Sequence, residues 1–319
     1  MVAPRFHVKS KLKAGFTLVE LSIVLVITGL IIGGVLVGRD LISAAGVRAQ
    51  ISQIEKYNTA VNTFQGKYGY LPGDIPDPAA TQYGFAARGQ YAGEGDGSGI
   101  LEGVNFDLAG WNYGPNQGTG ETVMFWSDLS NAHLIDGNFN AASSTASAGL
   151  ITGAALSTWF PSAKIGRGNS VYVYSSGPGE VGVPGKPASQ NYFGISAISM
   201  MNELYNGWMA SAPALTVSEA YNMDNKIDDG LPQSGAVVAF YVGYPPSCCG
   251  DSATPWAAGG GNVGAGTYAG VNVSVVTTVA TPGSTTTCFD NGNIVGVQKY
   301  SVSQNNGAGI NCALSVQFQ

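Results

Sequence analysis

One carboxylate stands alone in a long apolar segment near the start of this 319-residue chain. From Phe16 to Gly38, Glu20 is the only ionisable side chain. A charged group inside a membrane-spanning helix costs about 2.5–3.5 kcal/mol on insertion scales, and such groups usually have a function. Gly15 precedes an aromatic residue where the basic start of the chain meets the apolar segment. The pattern predicts a specific role for Glu20 and for the Gly15–Phe16 junction.

Two acidic turns have side chains that could bind a divalent cation. Glu94, Asp96 and Ser98 alternate with glycines, as in the first half of a calcium loop, but the bidentate glutamate of the second half is missing. Asp228 and Asp229 form the second acidic turn. The alternative is that both are ordinary turns whose carboxylates bind their own backbone. Calcium is therefore the one cofactor that the sequence suggests, and we expect no other.

The four cysteines all lie in the last quarter of the chain, at Cys248, Cys249, Cys288 and Cys312. In an exported protein an even number of cysteines predicts two disulfides, here with three connectivities. Adjacent cysteines rarely bond each other, because the intervening peptide must distort. We therefore expect Cys248 and Cys249 each to pair with one of the other two, in either order. A zinc site is disfavoured, since no Cys-x-x-Cys is present.

Composition excludes several classes of function. The chain has two histidines and no Gly-x-Ser-x-Gly motif, so we expect no enzyme. Four of the 14 basic residues precede Gly15, which leaves 10 against 20 acidic residues and a net charge of −10. An acidic chain without a basic cluster argues against nucleic-acid binding.

The segment that carries Glu20 is long enough to cross a bilayer. A helix from Phe16 to Gly38 would measure about 34 Å. The basic residues before this segment favour a topology in which the N-terminal end of the chain stays on the cytoplasmic face of the membrane and the residues after the segment are exported. A secretory signal peptide has a shorter apolar core, and a plain signal anchor leaves Glu20 unexplained.

The run Gly15-Phe16-Thr17-Leu18-Val19-Glu20 resembles the leader junction of type IV pilins and type II secretion pseudopilins. In that family a prepilin peptidase cuts after the glycine and methylates the new N-terminus. The resemblance implies a leader at 1–15, cleavage between Gly15 and Phe16, and pairing of Glu20 with the methylated α-amine of a neighbouring subunit. It implies as partners the prepilin peptidase, identical or related pilin subunits, the inner membrane and an assembly platform.

The resemblance also implies an α+β, lollipop-like fold in which a long helix packs on an antiparallel β-sheet head. We expect a transmembrane or filament-core helix at 16–38, its amphipathic continuation at 39–66, and an exported head at 67–319. In the continuation, apolar residues recur at three- and four-residue steps, which predicts one buried stripe. The members are Leu41, Ala44, Ala45, Val47, Ile51, Ile54, Tyr57, Val61 and Phe64. Polar residues, including Gln50 and Gln53, are predicted on the other face.

Short helices and strands are predicted for the head. Residues 121–137 have helical spacing, and Thr216 with Glu219 forms a capping-box pattern before another helix. β-Forming residues predict strands at 165–174, 190–199, 236–241, 271–278 and 295–302 and at the C-terminal residues.

The sequence thus predicts a structural subunit of a type IV pilus-like filament. The precursor would lie in the inner membrane, and the processed chain in a periplasmic or surface filament. Two alternatives share the same leader: a pseudopilin of a type II secretion system, and a minor tip subunit with an adhesive or ligand-binding head.

Overall fold

The computed structural model describes residues 15, 17–89, 93–103, 120–142, 150–175, 190–202, 208–242, 287–294, 298–303 and 307–318. Within these residues the chain is α+β, as predicted. It divides into two compact units, 1–45 and 46–319. The long helix α1 contributes to both, and the remaining elements belong to the second.

Four α-helices lie in the described residues. They are α1 (Leu18–Tyr68), α2 (Ala79–Gln82), α3 (Glu121–Asn131) and α4 (Val217–Ile227), with a 3₁₀ turn at Gly153–Thr158. The strands are β1 (Leu150–Thr152), β2 (Asn169–Ser175), β3 (Asn191–Asn202), β4 (Trp208–Ala212), β5 (Leu215–Thr216), β6 (Val237–Val238), β7 (Phe289–Asp290), β8 (Lys299–Tyr300), β9 (Ile310–Cys312) and β10 (Leu314–Gln317).

Strand β3 is the centre of an antiparallel sheet. It pairs with β1, β2, β4 and β10, and β10 pairs in turn with β6. Ile195 of β3 lies opposite Val171 of β2 on one side and Leu314 of β10 on the other, and all three side chains are buried. Strands β5 and β9, and β7 and β8, form two small antiparallel pairs.

Within the second unit, α1 buries the predicted stripe in the core. Val47, Ile54, Tyr57, Val61 and Phe64 are all buried, and Tyr57 contacts the ring of Trp126 on α3 edge-on at 4.9 Å. These contacts supply the apolar burial that stabilises this part of the helix.

The stripe prediction is wrong for its first members. Leu41, Ala44 and Ala45 are exposed, because they lie in the first unit, whose described residues include no buried side chain.

Two glutamines predicted on the polar face of α1 are buried instead. Gln53 donates through Nε2 to the Ser162 carbonyl (3.0 Å) and accepts through Oε1 from the Lys164 backbone N–H (2.9 Å). Gln50 accepts from the Ile165 N–H at 3.1 Å. The prediction placed both amide side chains in solvent. Instead they form hydrogen bonds with the backbone of residues 162–165, because buried backbone groups need hydrogen-bond partners.

The capping-box prediction is confirmed at α4. The Thr216 hydroxyl accepts from the Glu219 N–H (3.1 Å), and the Glu219 carboxylate accepts from the Thr216 N–H (3.0 Å). The helix at 121–137 ends early, at Asn131, and the strand at 236–241 is reduced to β6. The predicted strand at 271–278 lies outside the described residues.

We expect Gln53→Ala to lower the free energy of unfolding by about 1–2 kcal/mol, because three hydrogen bonds of a buried amide are lost. Denaturant unfolding of the detergent-solubilised chain, followed by near-UV circular dichroism, measures the change. Asn62→Ala, on an exposed part of the same helix, is the matched control and should stay within about 0.5 kcal/mol of the parent. Equal stability of the two variants would contradict the role assigned to Gln53.

Candidate functional site

The lone carboxylate of the apolar segment is part of a capping box at the start of α1. Glu20 Oε2 accepts hydrogen bonds from the Thr17 backbone N–H and from the Thr17 hydroxyl, both at 2.8 Å. The Thr17 hydroxyl accepts in return from the Glu20 N–H at 3.2 Å. Thr17 immediately precedes α1, so this reciprocal pair satisfies donors that the first helical turn leaves open. The sequence pattern indicated a role for Glu20 but did not indicate its hydrogen bonds with Thr17.

Around Glu20, the apolar surface of α1 is exposed in the part of the chain that the structure describes. Every large apolar side chain from Leu18 to Ile42 is more than half exposed. Within the described residues, α1 is the one helix that is long and apolar enough to cross a membrane.

The predicted cleavage junction is only partly described. Gly15 is exposed and has no neighbouring atoms within 4 Å of the position that a side chain would take, while Phe16 lies outside the described residues. Cleavage between the two stays a prediction.

After α1, a tight turn at Gly73 joins the chain to α3. The Gly73 N–H donates to Asp128 Oδ2 at 2.7 Å, and the same carboxylate forms a fully buried ion pair with Arg88 at 2.6 Å. Gly73 has φ +87°, and a Cβ there would lie 2.4 Å from the carbonyl oxygen of Glu121. Only glycine fits both the conformation and the close approach.

The first acidic turn contributes exposed Asp96 to a carboxylate cluster whose two buried members the sequence did not indicate. Asp96 lies with Asp74 and Glu121, with one carboxylate oxygen from each within 4.8 Å of the others. Asp74 accepts from two backbone N–H groups of residues 93–103 (2.7 and 2.8 Å), and Glu121 accepts from three (3.0, 3.0 and 3.3 Å). The two buried carboxylates therefore hold this loop through its backbone.

Burial sets the protonation of these carboxylates. It raises the pKa of Asp74 to about 6, against hydrogen bonds from Gly99 and Gly97 that lower it. Burial and the charge of Asp74 raise the pKa of Glu121 well above its usual value.

The remaining predicted ligands of the first turn have other surroundings. Glu94 is buried but is not part of the carboxylate cluster formed by Asp74, Asp96 and Glu121. The backbone N–H of Ser98 donates to Asp96 Oδ1 at 2.8 Å, which is the local hydrogen bond of an ordinary acidic turn.

The second acidic turn is likewise completed by a residue that the sequence did not indicate. Asp228 and Asp229 lie with Asp224 of α4, again with one oxygen from each within 4.8 Å. Asp224 accepts from the Tyr300 hydroxyl (2.7 Å) and from a backbone N–H (3.0 Å). Burial raises the pKa of Asp224 to about 7, and the charges of Asp229 and Asp228 add to the effect.

In both clusters the carboxylates accept hydrogen bonds from N–H or hydroxyl donors, which offset part of the cost of burying their charge. Calcium binding requires oxygen ligands aimed at a shared point. Calcium at either turn stays a prediction.

The described disulfide differs from the expected pairing. Cys288 and Cys312 are bonded to each other, with Cα atoms 5.0 Å apart. Cys288 immediately precedes β7 and Cys312 ends β9, and both are buried, so the fold brings together two cysteines that are 24 positions apart in sequence. The expectation that each would bond to one of the adjacent cysteines is therefore wrong. Cys248 and Cys249 lie outside the described residues.

Comparison with known proteins places a family signature on the N-terminal segment. Residues 10–36 match the model of the prokaryotic N-terminal methylation motif. The chain carries the type IV pilin and pseudopilin signature. No curated protein and no solved structure matches the chain significantly.

The pilin signature covers the same residues as the capping box and most of the exposed apolar surface. It supports a pilin-like or pseudopilin subunit of a structural, non-enzymatic family. Such a subunit is made as a membrane-anchored precursor, is processed by a prepilin peptidase and assembles with other pilin subunits.

We expect the chain to become more stable as the pH falls from about 7.5 to 5. Asp74 and Asp224 have folded-state pKa values of about 6 and 7, above the ordinary 3.8. Folding therefore favours the protonated form of each carboxyl group. The resulting gain in the free energy of unfolding is complete at pH values below the ordinary pKa, and it is lost as the pH rises through 6 and 7.

Thermal unfolding across this pH range measures the effect. In Asp224→Asn the pH dependence should shrink, since one titrating group is removed while a hydrogen-bonding amide takes its place. Glu55→Gln, an exposed carboxylate on α1, is the control and should keep the parent profile. An unchanged profile in Asp224→Asn would contradict the assignment.

Proposed function

We propose that the chain is a structural subunit of a type IV pilus-like filament. The prepilin peptidase removes residues 1–15, and the processed chain polymerises through residues 18–45 of α1. The observation that carries this proposal is the uncovered apolar surface from Leu18 to Ile42, which coincides with the methylation motif.

Such a surface requires a cover other than water. Fully burying one large apolar side chain is worth about 1.5–3 kcal/mol, so a continuous helix of these residues is stable only in lipid or against other apolar helices. In the precursor the inner membrane provides the cover. In the filament, the apolar segments of neighbouring subunits replace the lipid, after an assembly platform has moved the subunit from the membrane into the filament.

Glu20 sets the register of this packing. A carboxylate buried among apolar helices needs an oppositely charged partner, since an unpaired buried charge is strongly destabilising. The partner is the methylated α-amine of Phe16 in a neighbouring subunit. Among the described residues, the hydrogen bonds accepted by the Glu20 carboxylate both use Oε2, which leaves Oε1 as an acceptor for that amine.

The head supports a structural role through its packing. A fully buried Arg88–Asp128 ion pair, a disulfide and an aromatic cluster around Trp126 fix its core. These features stabilise the exported part of a subunit that must withstand conditions outside the cell.

We expect Glu20→Ala to be processed and inserted normally but to form few or no filaments, because the register-setting ion pair is lost. Immunoblotting of membranes reports processing as a loss of about 15 residues, and sheared-filament yield reports assembly. Asn62→Ala, which removes an exposed polar side chain from the same helix outside the α1 groove described below, should assemble like the parent. Normal filament yield from Glu20→Ala would show that the carboxylate has another role.

Immunogold electron microscopy identifies the filament. Under the proposal, antibodies against the head label fibres along their length. Labelling confined to fibre tips would indicate instead that the chain is a minor subunit with an adhesive head. A processed chain that never appears on surface fibres would assign a pseudopilin of a secretion system.

A further inference from the structure

A groove runs beside the second half of α1, within the second unit. Its volume is about 960 Å³, and its walls are residues 49–63 of α1, residues 133–139 after α3, and residues 161–164. This surface, called the α1 groove below, is separate from the acidic clusters and from the N-terminal motif.

The buried lining of the α1 groove is mostly apolar, and its buried amide, Gln53, is held by hydrogen bonds to the Tyr57 hydroxyl and to the backbone of Ser162 and Lys164. The buried rings of Tyr57 and Phe139 and the buried Ala60 form part of its lining, and half-buried Leu134 and Ile135 border it. A lining of this kind suits the apolar face of a helix.

The rim of the α1 groove carries exposed charges of both signs. Glu55, Lys56, Asp136 and Lys164 all line it. The ion pairs found in the described part of the chain, Arg88–Asp128 and Arg167–Glu219, involve none of these four. The rim therefore offers two carboxylates and two lysines, together with exposed His133, to an occupant with its own charge pair.

The chain itself carries a segment with matching chemistry. Arg39 and Asp40 are adjacent, exposed and outside the ion pairs of the described residues, and large apolar side chains at Leu41 and Ile42 follow them. Residues 43–45, which follow, have small side chains, so that another surface can approach the helix backbone closely there. One short segment thus combines opposite charges, exposed apolar side chains and a narrow profile.

We propose that the α1 groove binds residues 39–45 of α1 from a second copy of the chain. Leu41 or Ile42 enters the apolar base, while Arg39 faces the rim acids and Asp40 faces the rim lysines. This inference rests on the proposed filament, and it assigns a specific contact between subunits beyond the packing of the apolar segments. Charge pairs at the rim of an interface select partner and register more than they add affinity.

Cysteine cross-linking in assembled filaments tests the contact. The full-length variant with Ala44→Cys and Thr59→Cys places one thiol in the segment and one in the groove lining. Mild oxidation of sheared filaments should convert most of the chain to covalent dimers and larger ladders. Ala44→Cys with Asn62→Cys is the matched control, because Asn62 is exposed on α1 but does not line the groove, and it should stay at the background of the parent chain.

The outcomes separate this inference from the proposed function. Filaments that form normally but cross-link no more through Thr59→Cys than through Asn62→Cys would overturn the contact and leave the filament subunit intact. A parent chain that forms no filaments would overturn both.

A pair of charge-reversal variants tests the same contact if the double-cysteine variant does not form filaments. Asp136→Arg should reduce filament yield while its near-UV circular dichroism stays that of the parent, and Arg39→Asp in the same chain should restore the yield. Reduction without restoration would contradict the assigned pairing.

Discussion

The uncovered apolar surface of residues 18–42 is the constraint on which the rest of the molecule depends. In the described part of the chain, each of the large apolar side chains of this segment is more than half exposed. The free-energy cost of leaving them in water exceeds the net stability of an ordinary domain, about 5–15 kcal/mol. The segment therefore requires an apolar environment around it.

The capping box explains how one carboxylate is tolerated within that surface. Thr17 and Glu20 both follow the predicted cleavage junction, so their hydrogen bonds do not involve the residues before it. A carboxylate that already accepts two hydrogen bonds loses less on leaving water than an isolated one. The box thereby lowers the cost of placing Glu20 among apolar groups, and it holds the side chain in one orientation.

Local patterns in the sequence predict the local parts of this structure well. Hydrophobic periodicity predicts α1 to within a few residues, and the Thr216–Glu219 spacing predicts the cap of α4. Both depend on residues three or four positions apart, which any helix brings together. The family signature lies in the same kind of contiguous segment.

Long-range contacts account for what the sequence did not predict. Asp74 meets Glu121 across 47 positions of chain, and Asp224 meets Tyr300 across 76. Gln53 is buried because it binds a backbone segment 109 and 111 residues away. The same holds for the disulfide, whose pairing follows from the fold of the last strands rather than from cysteine spacing. No periodicity encodes such partners, since they depend on how the elements pack.

These long-range contacts also determine how the second half of α1 is held. Gln50 and Gln53 bind residues 162–165, the apolar stripe packs on α3, and the Gly73 turn binds Asp128 of the same helix. The buried polar and apolar side chains of this half are thus held by its own chain, whereas Asn62 and the charged residues along the α1 groove are exposed. A filament that used only the apolar segment before residue 43 would leave the α1 groove open. The proposed contact adds a charged interface whose rim selects the register of neighbouring subunits.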